Sequence, residues 1–163
     1  MKKLFYLITA ALYLVACEGN TPDGSINKDD YVDLGLQSGT LWKNANEINP
    51  NDEIGLYTYD EAISLFKKNM PNKAQWMELI NECTWEWTGS GYKVAGPNGK
   101  SITLPAAGYR YYDGSMDYVG SHGFYWSYTS DGSVNAQGMY FHSGGVYMGS
   151  NNRHTSQSIR LVN

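Results

Sequence analysis

The side chains best suited to chemistry lie in residues 120–162, GSHGFYWSYTSDGSVNAQGMYFHSGGVYMGSNNRHTSQSIRLV, and what they suit is non-covalent recognition. Tyr offers rigid amphipathic area at low entropic cost, while Ser, Asn and Gly supply adaptable hydrogen bonds. Met139 and Phe141 alternate with Gly138, Tyr140 and His142. After the Gly144-Gly145 turn, Val146 and Met148 alternate with Tyr147, the period of a half-buried hairpin with one core face and one offered face. The candidate ligand-binding residues are Tyr128, Asn135, Tyr140, His142, Tyr147, Ser150, Asn151, Asn152, His154, Thr155 and Gln157. Taken singly, each also fits ordinary turn chemistry, so the recognition reading belongs to the cluster.

Other chemistries find weaker footing. His122, His142 and His154 stand too far apart in sequence for paired zinc ligands on one element, and no Cys or HExxH accompanies them. Gly120-Ser121-His122-Gly123 is not a GxSxG nucleophile elbow. Glycoside hydrolysis needs two carboxylates roughly 5–10 Å apart in a cleft. After residue 86 the acids are Asp113, Asp117 and Asp131, all in expected turns. The expectation is no catalytic residue, no metal and no cofactor.

Those side chains need a scaffold, and the sequence outlines one. YVDLGLQSGTLW at 31–42 reads as an early strand or hairpin. Residues 44–55, NANEINPNDEIG, read as a solvated polar loop without the spacing of a calcium-binding loop. Thr58 with Glu61 fits a capping box before Ala62, Ile63 and Phe66, and Pro71 ends that helix. Asn72 with Gln75 fits a second box before the stripe Trp76, Leu79, Ile80 and Cys83. TWEWT at 84–88 then opens a run of strands. Tyr92–Ala95 and Ser101–Leu104 form a hairpin around Gly96-Pro97-Asn98-Gly99. A Tyr- and Asp-rich loop, YYDGSMDYVGS, follows. A strand, two helices and four or more strands predict an α+β fold with a mainly antiparallel, loop-rich sheet. Trp126, Phe141, Ile159 and Leu161 are expected to be buried together, with Arg160 held by a carbonyl or carboxylate.

The chain start reads as a signal. Lys2 and Lys3 precede an apolar run from Leu4 to Tyr13, short for a bilayer-spanning helix of roughly 20 residues. Leu14-Val15-Ala16-Cys17 resembles the bacterial lipobox, which implies cleavage before Cys17 and acylation of its thiol, a membrane anchor needing no spanning helix. The expected organisation is a signal peptide at 1–16, lipidated Cys17 with a flexible tether at 17–30, and one domain at 31–163. Without Lys2 and Lys3 the chain carries 10 basic and 16 acidic residues, a formal charge of −6, a poor match to a nucleic-acid backbone. With Cys17 acylated, Cys83 has no intramolecular partner and reads as a small buried hydrophobe. Oligomeric state is open.

YVDLGLQSGTLW (31–42), MPNKAQWMELI (70–80), GYKVAGPNGKSITLPAAGYR (91–110), VGSHGFYWSYT (119–129) and SIRLV (158–162) together resemble the fibrobacter-type major paralogous domain of Bacteroides-group surface lipoproteins. That resemblance implies a C-type-lectin-like fold with two helices and a twisted sheet, related to formylglycine-generating enzymes. The late cysteines of those enzymes are missing here, so the activity is not implied. The C-terminal part also resembles variable proteins diversified by retroelements, with Tyr125-Trp126-Ser127 and Arg160 as scaffold and 135–157 as display. The motifs Glu-Pro-Asn and Trp-Asn-Asp of calcium-dependent lectins are absent. The resulting expectation is a lipid-anchored surface protein of the bacterial envelope, in the outer membrane, that binds a glycan or protein ligand. A structural or assembly subunit of an envelope complex and an enzyme acting on surface glycans stand as alternatives.

Overall fold

The computed structural model describes residues 30–52 and 54–163. The signal segment, Cys17 and the tether up to residue 29 lie outside the described residues.

Strands β1 (Tyr31–Asp33) and β2 (Leu41–Lys43) pair antiparallel, as the alternation at 31–42 predicts. A loop leads to β3 (Leu56–Thr58) and helix α1 (Tyr59–Phe66), then through a single 3-10 turn (Lys67–Asn69) to α2 (Lys73–Glu82). Both capping boxes are formed: Thr58 accepts from the Glu61 amide, Asn72 from the Gln75 amide, and the Glu and Gln side chains return to the cap residues' own amides. Strands β4 (Thr84–Trp87), β5 (Gly91–Ala95) and β6 (Ser101–Pro105) make an antiparallel three-stranded sheet.

The remaining strands are β7 (Tyr109–Arg110), β8 (Met116–Asp117), β9 (His122–Asp131), β10 (Asn135–His142), β11 (Gly145–Asn152) and β12 (Ser156–Ser158). They form a second sheet in the order β11-β10-β9-β12-β7-β8, with β3 added beside β12. The β12–β9 pairing is parallel and the other pairings in this sheet are antiparallel, so the architecture is α+β with mixed sheets. The segment 111–121, expected to be loop, contains β8 because Tyr111 and Ser115 close a tight turn that returns the chain onto β7.

Alternation along β9 divides the interior. Tyr125 and Trp126 are adjacent and both fully buried, on opposite faces of the sheet. Tyr125 joins Met139 and Phe141 against Trp42, Trp76, Leu79, Val94 and Leu104. Trp126 joins Tyr57, Tyr59, Ala62, Met70, Ile159 and Leu161 under α1. The expected single cluster of Trp126, Phe141, Ile159 and Leu161 is therefore corrected: all four are buried, but Phe141 lies on the other face.

Arg160 is only 1% exposed and donates to Lys43 O at 2.7 Å, Thr103 O at 2.6 Å and Asn46 Oδ1 at 3.0 Å. The strand around it is shorter than expected. Ile159 O and Leu161 O accept from the amides of Glu47 and Lys43 rather than from a sheet ladder. The 44–55 loop is likewise not simply solvated. Asn49 and Asp52 are buried, because Asn49 Nδ2 donates to Leu56 O at 2.7 Å and Asp52 meets Arg110 at 2.7 Å. Burial pushes the Asp52 carboxyl up, but Arg110 and the amides of Ile54 and Leu56 outweigh it and hold the group below the usual carboxylate range.

Candidate functional site: an aromatic cleft

The face of β9–β11 opposite Tyr125 and Phe141 carries a row of rings. Cross-strand register places Phe124 beside Tyr140, Tyr140 beside Tyr147, and His122 beside His142. Phe124 and Tyr140 lie 6.2 Å apart with planes 17° from parallel, and Tyr140 and Tyr147 lie 5.3 Å apart at 27°. Rings on adjacent strands at this spacing support one another while leaving their outer edges free.

A second wall rises from β7 and β8. Tyr109 packs edge-on to Phe124 at 4.9 Å and to Tyr111 at 4.8 Å, and Tyr118 covers His122 at 4.5 Å. Tyr118 adopts φ of 61°, rare for a residue with a side chain, and its carbonyl accepts from the amides of both Ser121 and His122. The wall sits this close because Gly108 has no side chain: a Cβ there would lie 2.1 Å from Asp117 O.

Asn151, Thr155 and Gln157 close the cleft, whose volume is about 310 Å³. Gln157 is 1% exposed and donates through Nε2 to Thr155 Oγ1 at 3.3 Å. Its Oε1 has no hydrogen-bond partner, and neither has the buried Nδ2 of Asn151. Among the described residues no Asp, Glu, Lys or Arg lines the cleft. Burial, and after it the nearby His142, lower the pKa of His122, so at neutral pH its ring is uncharged. Burial together with Tyr111 raises the Tyr109 phenol, which stays protonated. His142 Nδ1 accepts from the Gly144 amide at 3.0 Å, leaving Nε2 for the cleft. The cavity is aromatic and supplied with a few polar atoms, the make-up of a ligand pocket.

Tyr140, His142, Asn151, Thr155 and Gln157 meet in this cleft, and Tyr147 stacks at its edge, 43% exposed. The other expected site residues are elsewhere. Tyr128 lines a separate groove with Lys67 and Asn72. Asn135 is exposed at the far end of β10. By strand alternation, Ser150 and Asn152 share the side of Val146 and Met148. Asn152 is moreover a turn residue, since its Oδ1 accepts from the His154 amide and its carbonyl from Thr155. His154 is exposed on that turn, which Arg153 pins to α1 through Asp60 at 2.5 Å and by lying 4.7 Å over the Tyr59 ring.

Tyr109, Tyr111, Tyr118, His122 and Phe124 were not among the expected site residues. The parity of Phe124 with Tyr140 was open to reading, whereas the position of the tyrosine wall follows from Ser156 pairing with Arg110. Among the described residues no three of His, Cys, Asp or Glu come together as a metal site. Asp113 and Asp131 bond Ser115 and Gln137 outside the cleft, and burial pushes the thiol of half-buried Cys83 up to about 11. No helix among the described residues is long and apolar enough to cross a membrane.

Fold and site together define an α+β domain with an aromatic cleft on one sheet face. A family model described as "Domain of unknown function (DUF8237)" matches residues 80–162, which include every strand from β4 onward, and the chain belongs to that family. No curated protein and no solved structure matches the chain.

Proposed function

We propose that this chain is a lipid-anchored, non-enzymatic recognition module of C-type-lectin-like fold that binds an uncharged part of a glycan or protein ligand in the aromatic cleft. The observation that carries the reading is the cleft of about 310 Å³ itself, walled by the rings of Tyr109, Phe124, Tyr140 and His142 and closed by Asn151, Thr155 and Gln157. Concave sites lined mainly by aromatic rings with a few polar groups are where small ligands bind. The lectin-like reading draws support from the order of strands, two helices and mixed sheet, and from the burial of Tyr125, Trp126, Ser127 and Arg160, the residues matching that scaffold. The anchor rests on Leu14-Val15-Ala16-Cys17, and the location in the outer membrane rests on the resemblance to Bacteroides-group surface lipoproteins.

Two experiments test this. On glycan and cell-surface protein arrays, Tyr140→Ala with Tyr147→Ala abolishes binding and barely moves the melting temperature; an equal loss of stability would make those rings core. Metabolic labelling with a fatty-acid analogue marks the wild-type chain and not Cys17→Ser, and a labelled mutant would overturn the anchor.

A further inference from the structure

Resting on the recognition reading of the cleft, we infer that His142 and His122 form a fixed donor and acceptor pair that binds a primary carboxamide, the side-chain end of a glutamine or asparagine on a protein ligand.

Local hydrogen bonds set the tautomer of each ring. His142 Nδ1 lies 3.0 Å from the Gly144 amide, which only donates, so that nitrogen holds a lone pair and the ring proton sits on Nε2. His122 is set the other way. Its Nδ1 lies 3.0 Å from Ser121 Oγ, which in turn lies 3.0 Å from the Tyr118 carbonyl oxygen. A carbonyl only accepts, so the single hydroxyl proton goes to Tyr118 O and Oγ accepts from Nδ1–H. The opposite assignment would leave two lone-paired oxygens facing each other at 3.0 Å. Burial and the nearby His142 keep the His122 ring uncharged, so its Nε2 carries a lone pair.

The two Nε2 atoms are therefore unlike, one a donor and the other an acceptor. Neither has a partner among the described residues, and neither is sealed from solvent. Cross-strand pairing of His122 with His142 holds the ring centroids 5.2 Å apart, and both rings line the cleft. One small group meets both nitrogens if it offers an acceptor beside a donor.

A primary carboxamide does so, with its oxygen and an N–H on one edge of a plane and O and N about 2.3 Å apart. A carboxylate only accepts and would turn lone pairs on His122 Nε2, and among the described residues no Lys or Arg lines the cleft to offset its charge. An ammonium only donates and would face the His142 N–H. A secondary amide in its trans form points N–H and C=O to opposite edges. A hydroxyl takes either role and gains nothing from a pair of fixed polarity. Polypeptides carry the primary group on Asn and Gln, whereas an N-acetylated sugar carries a secondary amide. Phe124 and Tyr109 supply apolar ring surface for the methylene stem, in a cavity of about 310 Å³ with room for one such side chain.

The test uses the full chain, purified in detergent and labelled with 15N. Ring-nitrogen spectra first locate the protons: they are expected on Nε2 of His142 and on Nδ1 of His122, and any other assignment would overturn the inference. Propionamide, which matches the end of a glutamine side chain, is then titrated while the Nε2 signals are followed, with propionate, N-methylpropionamide and glucose as comparison probes. Propionamide is expected to move both signals and to bind about tenfold more tightly than the other three, the worth of one hydrogen bond. His142→Phe and His122→Phe keep an aromatic ring, and each lowers affinity for propionamide about tenfold. Phe variants that bind it as the parent does would overturn the pair; should either fold poorly, the proton positions and the four titrations of the parent chain decide. A comparison probe that bound as tightly as propionamide, or propionamide moving neither signal, would overturn the carboxamide and leave the recognition module standing. If array binding were in addition indifferent to Tyr140→Ala with Tyr147→Ala, the recognition reading would fall with it.

Discussion

The two faces of the β9–β10 hairpin carry similar residue types and do opposite things. On one face Tyr125, Met139 and Phe141 are fully buried, and the Tyr125 hydroxyl is occupied, donating to Pro105 O at 2.9 Å and accepting from Asn46 Nδ2 at 3.2 Å. On the other, Phe124, Tyr140 and His142 are half-buried around a cavity, and two amide atoms beside them have no partner. Aromatic content does not separate the two. What separates them is whether something packs on top: α2 and the β4–β6 sheet cover the first face, while the second is covered under α1 but open between β7–β8 and β11.

The largest break in this contrast is expected where something packs on top, at Phe141 under α2 and the β4–β6 sheet and at Trp126 under α1. Trp126→Ala and Phe141→Ala should each destabilise by about 3–5 kcal/mol, a large part of the 5–15 kcal/mol that holds a domain together, as chemical denaturation would measure. Either variant within 1 kcal/mol of the parent would mean that these cores are loosely packed. Arg160→Met comes next, at about 3 kcal/mol, because Lys43 O, Thr103 O and Asn46 Oδ1 all lose their donor inside the protein.

The wall of the open face is held from behind by Asp52 and Arg110, and acid should loosen it. The folded-state pKa of Asp52 lies below its ordinary value of 3.8, so this group stabilises the fold above that value. That contribution is lost as pH falls below about 4, and unfolding curves at pH 5 and pH 3 would show it. Asp52→Asn should flatten the fall, and an unchanged pH profile would remove the pair from the account.

Smaller still, Asn152→Ala should cost about 1 kcal/mol through the lost turn bond to His154, with cleft binding intact. Ser150→Ala and His154→Ala should stay within about 0.5 kcal/mol and leave binding unchanged, which separates the outer turn from the cleft.

How far the sequence could be read depended on the range of the contacts. Local signals were legible: capping boxes at Thr58 and Asn72, the Gly96–Gly99 hairpin, and the alternation that sends Tyr140 and Tyr147 to one face and Met139 and Phe141 to the other. The burial of Asn49 and Asp52 was not, because polar composition reads as solvated until a partner 58 residues away in the chain, Arg110, is placed. The tyrosine wall was hidden for the same reason, since Tyr109 and Tyr118 are brought to the cleft by short pairings of β7 with β12 and β8 and by the Gly108 amide donating to His122 O. Composition alone grouped Ser150 and Asn152 with Asn151, whereas the period of two sends them to the opposite side.

A substitution scan across residues 120–162, read once for folded abundance and once for array binding, tests most directly the claim that the covered positions hold the fold and the open cleft holds a ligand. Substitutions at Tyr125, Met139 and Phe141, and at Trp126 where α1 covers the second face, are expected to remove abundance and binding together, whereas those at Tyr140, His142, Tyr147 and Asn151 leave abundance near wild type and remove binding alone. Equal intolerance for abundance at the covered and the cleft positions would contradict the account and make the cleft an incompletely packed part of the core.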